Sequence, residues 1–148
     1  MYLKPITTDE DKTIDMYASA DCQQLFSMYD DFYPESGFHS PWLGYFIIRQ
    51  DKIVGSCAFV GKPKDRKVEI AYWTFKEFEG QGIASFGCNA LLCIAYQTDP
   101  GLTVVAKTAP EHNASTRVLE NNHFVFAEIV QDHEIGSAWL WTHNNMAN

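Results

Sequence analysis

The run Glu79-Gly80-Gln81-Gly82-Ile83-Ala84-Ser85 has the residue types of an anion-binding turn. Glycine accepts backbone angles that other residues avoid, and it lets a bulky phosphate come close to the main chain. Before the turn lies Val68 to Phe75, apolar and aromatic, the character of a strand. After it comes Ile83 to Tyr96, an apolar run long enough for a helix. The first N–H groups of a helix have no internal partner, and the helix dipole adds partial positive charge there. Strand, glycine turn and helix start together make a site for phosphate, so the chain is expected to hold a phosphorylated cofactor.

The elements that must position this turn follow from the rest of the pattern. Tyr2 to Ile6 reads as a first strand. Ser19 to Asp31 reads as a helix, capped by Ser19 or Asp21, with Cys22, Leu25, Phe26 and Tyr29 at helical spacing. Pro34, Gly37 and Pro41 make Phe32 to Pro41 a loop rich in aromatics. Trp42 to Arg49 and Ile53 to Val60 form a hairpin across Gln50-Asp51-Lys52, and Gly61 to Arg66 is a polar loop before the strand at Val68. The helix from Gly82 to about Gln97 is apolar nearly all round, hence buried, and Asp99-Pro100-Gly101 stops it. Leu102 to Ala106 is a short strand. A helix opens at Pro110 to Asn113 and runs to Asn121. Phe124 to Val130 and Ala138 to Thr142 are the last strands, joined by a turn around Asp132 to Gly136, and Trp139 and Trp141 alternate onto one face as core. Antiparallel hairpins mixed with helix crossovers predict an α/β (α+β) fold on a single sheet, one domain over residues 1–148.

Composition narrows the function. Hydrophobic residues make up 46% and charged residues 20%, which suits a globular chain. A net charge of −8 argues against nucleic acid, whose binding leans on Lys and Arg, and suits a cationic or amine substrate. The four cysteines, Cys22, Cys57, Cys88 and Cys93, form no Cys-x-x-Cys pair and have no zinc-type spacing to histidine. Reduced thiols in a cytoplasmic protein, with no metal, are the expectation. The N-terminus shows no signal-peptide run, and no stretch approaches the roughly 18 apolar residues needed to cross a membrane.

Phosphate-binding patterns compete for the glycine turn. Gly55 through Gly61-Lys62-Pro63 misses a P-loop by one residue and has Pro in place of Ser or Thr. A dinucleotide fingerprint would need a third glycine where Ser85 stands, and a ribose-binding acid near the end of the next strand, where Lys107 stands. The third pattern is a coenzyme A site. Glu79-x-x-Gly82-x-Ala84 resembles the Arg/Gln-x-x-Gly-x-Gly/Ala signature of the GNAT superfamily of N-acetyltransferases. Asn113-Ala114-Ser115-Thr116-Arg117-Val118-Leu119-Glu120, ending at His123-Phe124, resembles the Asn-Ala-Ser-x-Arg-Val-Leu-Glu-Lys-x-Gly-Phe motif of the branch that includes ribosomal-protein N-terminal acetyltransferases. Glu69-Ile70-Ala71-Tyr72-Trp73 resembles the strand before the loop in that branch. The three motifs keep the family's order and spacing over about residues 67 to 130. Four positions depart from it: Glu79 replaces Arg or Gln, Asn121 replaces lysine, His123 replaces glycine, and Leu119 stands where many members have a tyrosine general acid.

The resemblance implies a mostly antiparallel mixed sheet flanked by helices and splayed at the cofactor-binding strand. It implies acetyl transfer from acetyl-CoA to a primary amine, a protein N-terminus or a small amine. In such transfer, backbone N–H groups stabilise an oxyanion and a base takes the amine's proton. By the same resemblance Trp73, Thr74 and Phe75 pair with the pantetheine arm. Gly80, Gln81, Gly82, Ile83, Ala84 and Ser85 hold the pyrophosphate, and Asn113 bonds the cofactor arm. Glu69 is the candidate base, directly or through a water; its alternative is a salt-bridged strand carboxylate. Tyr72 is a candidate proton donor, or core. Ser115 is placed near the thioester sulfur, or caps its helix, as Asn113 can also do. Phe32, Tyr33, Phe38, His39 and Trp42 are the acceptor-pocket candidates, against ordinary packing under a loop. Two other classes stay open: a coenzyme A-binding module without catalysis, and a dinucleotide-binding protein. A homodimer by edge pairing of the C-terminal strand is also expected.

Overall fold

A computed structural model describes residues 1–7, 9, 11–37 and 39–145, without the side chains of residues 35 and 36. Phe38 of the aromatic group lies outside the described residues. The strands are β1 (Tyr2–Pro5), β2 (Gly44–Arg49), β3 (Lys52–Phe59), β4 (Lys67–Thr74), β5 (Thr103–Thr108), β6 (Val125–Asp132) and β7 (Gly136–Asn144). The helices are α1 (Ala20–Ser36), α2 (Ile83–Thr98) and α3 (Ala114–Asn121). The strands form a seven-stranded sheet in the order β1-β2-β3-β4-β5-β7-β6, antiparallel at every step except the parallel pair β4–β5.

Gln50 and Asp51 both take positive φ, 51° and 62°, in the tight β2–β3 turn. Positive φ at both central residues gives the twist that a two-residue hairpin needs. Pro34 did not end the first helix as the sequence pattern suggests. It falls in the last turn of α1, where its missing N–H costs one bond. The helix closes at Gly37, which has φ 85° and donates to the Tyr33 carbonyl at 2.8 Å. Phe32 and Tyr33 are therefore helical. The C-terminal strand is also not an edge: β7 lies between β5 and β6, because the last hairpin folds β6 to the outside, so any edge pairing would involve β6.

Residues opposite each other across the ladders share a face. On one face lie Phe46, Ser56 and Trp73, covered by α1 and the turn before it. Tyr17 and Phe26 each sit 5.4 Å from the Phe46 ring. On the other face lie Tyr45, Cys57 and Tyr72, covered by α2. Gly87 of α2 allows that contact: a Cβ there would stand 2.9 Å from Ile47 Cδ1 and 3.1 Å from Cys57 Cβ. The core between the layers includes Ile47, Phe59, Ile70, Phe75, Leu91 and Leu119, all nearly inaccessible.

Candidate active site

The sheet opens at one place. β4 pairs with β3 as far as Thr74, but with β5 only as far as Ile70 and Ala106. From Ala71 to Thr74 the side of β4 that faces β5 has no ladder partner. This is the splay at the cofactor-binding strand. β4 then passes through a short helical turn, Lys76–Phe78, into Gly80 and Gly82, each with φ 77°. A Cβ at either glycine would meet nothing within 4 Å, so these positions require glycine for backbone angle and not for lack of room. Gly82 is the N-cap of α2 and supplies no side-chain cap. The first helical bond runs from Phe86 N–H to the Gly82 carbonyl at 3.0 Å. The N–H groups of Ile83, Ala84 and Ser85 are thus the free donors of a helix start.

These parts line a groove of about 580 Å³, bounded by Tyr72, Trp73 and Thr74, by Glu79, Gly80 and Gly82 to Ser85, and by one side of α3. That size is ordinary for a cofactor site. Free strand edge, left-handed glycines and uncapped helix start fit an extended amide arm that ends in a diphosphate, which is the shape of coenzyme A.

The far wall is fixed by α3. Asn113 and Thr116 form a capping box at its start: the Asn113 side chain accepts from Thr116 N–H at 3.2 Å, and Asn113 N–H donates to Thr116 Oγ1 at 2.9 Å. The cap is therefore Asn113, and Ser115 lies inside the helix. The Tyr72 hydroxyl donates to the Ser115 carbonyl at 2.9 Å, tying the start of α3 to β4. At its other end the Asn122 amide donates to Ser85 Oγ at 3.1 Å, tying α3 to the first turn of α2. Burial is the main cause that pushes the Tyr72 hydroxyl well above its ordinary pKa, so it stays protonated at neutral pH.

A second cavity, about 290 Å³, lies across β4 beneath α1. It is lined by Gln24, Leu25, Met28 and Tyr29 of α1, by Ser56 and Ala58 of β3, and by Ala71, Tyr72 and Trp73 of β4. Tyr72 and Trp73 belong to both cavities. The sequence reading missed the rest of this recess. Its only local signal was the small, strand-alternating Ala71, since the other residues come together through α1 and β3.

Tyr72, Trp73, Thr74, Gly80, Gly82, Ile83, Ala84 and Ser85 are brought together in the groove, with Ser115 facing them. Phe75 turns into the core, and its N–H is taken by the Val54 carbonyl at 3.1 Å. Gln81 is exposed and Asn113 serves its cap; neither lines the groove. Glu69 shares a face with Ala71 but lines neither cavity. Its carboxylate sits 3.7 Å from Lys107 Nζ, which also reaches Asp132 at 3.5 Å. Burial raises the Glu69 pKa, and Lys107 opposes that shift. Phe32 packs on Tyr29 and Tyr33. The Tyr33 hydroxyl donates to the Ile6 carbonyl at 2.8 Å and accepts from Gly44 N–H at 3.1 Å. Trp42 stacks edge-on to Phe59, and His39 is exposed in a one-residue bridge to Trp42. None of these four lines either cavity; Phe32, Tyr33 and Trp42 pack near the start of β2.

The splayed mixed sheet is the fold of solved acetyltransferases. The chain belongs to the acetyltransferase (GNAT) domain family, whose model matches residues 2–125. A relative from Bacillus subtilis (strain 168), "Putative ribosomal N-acetyltransferase YdaF", is 40% identical over 55 residues. That stretch is 37% of this chain and only 30% of the relative's length. Among solved structures, the ribosomal L7/L12 alpha-N-protein acetyltransferase RimL superposes at TM-score 0.71 with 18% identity, covering 99% of this chain and 94% of that one. A RimL complex with coenzyme A superposes at 0.66 with 20% identity, over 91% and 80% of the two chains. The microcin C7 self-immunity acetyltransferase MccE, with acetyl-CoA and AMP, superposes at 0.65 with 20% identity, over 84% and 71%. At these identities the structures speak for the fold.

Proposed function

We propose that this chain moves an acetyl group from acetyl-CoA to a primary amine, either a protein N-terminus or a small amine. One observation carries the reading: the unpaired edge of β4 beyond Ile70 runs directly into a left-handed glycine turn and an uncapped helix start. Bound acetyl-CoA supplies an acyl group activated as a thioester. The free backbone of Trp73 and Thr74 aligns the amide arm, and the N–H groups from Gly80 to Ser85 hold the diphosphate. The acceptor enters through the recess beneath α1, so that Tyr72 and Trp73 lie where the two ligands meet. In this reading Tyr72, protonated at neutral pH, turns its hydroxyl from the Ser115 carbonyl to give its proton to the departing thiolate; Leu119, fully buried, has no proton to offer. Glu69 takes the amine's proton through a water, on the recess side of β4. The names of YdaF and RimL favour a protein N-terminus as the acceptor. Among the described residues no helix is long and apolar enough to cross a membrane.

The ion pair of Glu69 with Lys107 favours one other reading, a coenzyme A-binding module with no turnover. Calorimetric titration with acetyl-CoA and with NAD, followed by thiol release across a panel of amines, separates the cases. Binding of acetyl-CoA with turnover of an amine supports the transferase. Binding without turnover of any amine supports the module, and preference for NAD removes both.

A further inference from the structure

We propose that Arg117 supplies the cation for the cofactor's phosphates that the glycine turn lacks, and that it does so against Glu79. The inference rests on the coenzyme A reading of the groove. Glu79 occupies the place where the family signature has Arg or Gln, and it is the one carboxylate among the described residues lining the groove. A carboxylate at the entrance to a diphosphate site repels the ligand, so the N–H donors of α2 need help from another element. Arg117 is the one cation in the same lining.

Its place follows from the two ties on α3. Ser115 is held to Tyr72 of β4, and Asn122 is held to Ser85 in the first turn of α2. The helix therefore runs along the groove from the thioester end toward the phosphate end. Ala114, Arg117, Val118 and Asn121 fall at intervals of three and four, on the stripe that faces the groove. Arg117 stands between the two ties, with the phosphate-binding turn ahead of it. Three other basic side chains are committed elsewhere: Arg66 to Asp99, Lys12 to Asp30, and Lys107 to Glu69 and Asp132. The Arg117 side chain is exposed and has no ion pair or side-chain hydrogen bond among the described residues, which leaves its guanidinium able to grip a phosphate with two parallel N–H donors. A lysine there would act only as a point charge.

The test is calorimetric titration of acetyl-CoA, coenzyme A and dephospho-coenzyme A into the intact protein and into Arg117→Ala, Arg117→Lys, Glu79→Gln and the Glu79→Gln/Arg117→Ala double variant. Arg117→Ala is expected to weaken acetyl-CoA about ten- to a hundredfold, the range for a lost charge-assisted bond. Arg117→Lys should restore only part of that loss, and Glu79→Gln should tighten binding a few-fold. Added salt should weaken the wild type more than Arg117→Ala. If the loss persists with dephospho-coenzyme A, the guanidinium meets the diphosphate; if it vanishes there, it meets the ribose phosphate. Both outcomes support the proposal. Equal affinity of Arg117→Ala and wild type for all three ligands, with unchanged thermal unfolding, overturns it and leaves the coenzyme A reading standing. A wild type that binds none of the three removes the reading and the inference together.

Discussion

In the proposed site, the groups offered to a ligand on the groove side of β4 are mostly main chain: the free edge of Ala71 to Thr74 and the N–H groups at the start of α2. On the recess side they are side chains drawn from α1, β3 and β4, among them Met28, Tyr29, Ser56 and Ala58. The difference has a consequence for evolution of the two surfaces. A backbone site depends on glycine angles and on where a strand diverges, so on the proposed reading it would tolerate a change as unfavourable as Glu79. A side-chain site changes its ligand whenever one residue changes, so acceptor choice can drift while the cofactor stays the same.

The comparison can be broken most sharply at Glu69, on the recess side. If it is the base, Glu69→Gln should lower kcat by about a hundredfold or more while acetyl-CoA affinity holds, the usual scale for losing a positioned base. Unchanged turnover would take Glu69 out of the mechanism and leave it a partner of Lys107. The same residue predicts a pH dependence. Burial raises its pKa, so the ionised, proton-accepting form appears only above the ordinary glutamate value of about 4.3, and kcat should climb with pH through that raised value. The linkage to stability has the opposite sign: a carboxyl with a raised folded pKa favours the native state when protonated, and that contribution is lost as pH rises through the folded pKa. The acid limb of kcat and a pH series of thermal melts for wild type and Glu69→Gln measure both; an acid limb unmoved in the variant assigns it to another group.

On the groove side, Gly82→Val should reduce acetyl-CoA affinity by about a hundredfold. A β-branched residue at φ 77° is strained, by about 1–3 kcal/mol, and its side chain crowds the helix-start donors. Because a Cβ there meets nothing within 4 Å, the cost to folding should be confined to that backbone strain, while the loss of binding adds to it; calorimetry beside thermal unfolding can separate the two. Across β4, Ala71→Phe should raise the acceptor KM about tenfold and leave acetyl-CoA binding as it was. Ala71 is exposed in the recess, and a larger side chain there takes space from the acceptor alone. A parallel rise in the cofactor's Kd would show that the two sides are one site. The smallest effect is expected away from both. His123 holds φ 69°, an angle natural to glycine, so His123→Gly should gain about 0.5 kcal/mol in a denaturant melt after the glycine's greater unfolded-state entropy is counted. Neither ligand's affinity should change.

The legible part of the site was the part written in consecutive residues. Gly80 and Gly82, followed by an apolar run, specify a left-handed turn and a helix without side-chain cap, and the resemblance of Asn113 to Leu119 placed the facing helix. The left-handed angle at His123 follows from the same motif, where glycine is usual. Less legible was how far α1 continues: Pro34 reads as a break, yet a proline in the last turn costs a single bond, and the buried Tyr33 holds the turn in place. That extension moved Phe32 and Tyr33 from a loop into a helix. The strand that forms the sheet edge was also hidden, since the order of β6 and β7 depends on which of them pairs with β5.

Local pattern alone determined the order of elements, the hairpin at Gln50 and Asp51, and the glycine turn, because each of these is settled by backbone angles and hydrogen bonds between near neighbours. Only the tertiary structure decided which side chains meet across β4. It brought Met28, Ser56 and Ala71 around one recess, set Arg117 along the groove from Glu79, and gave Glu69 to Lys107. Those contacts join residues far apart in the chain, and they exist only where the register of the sheet and the seating of α1 and α3 place them.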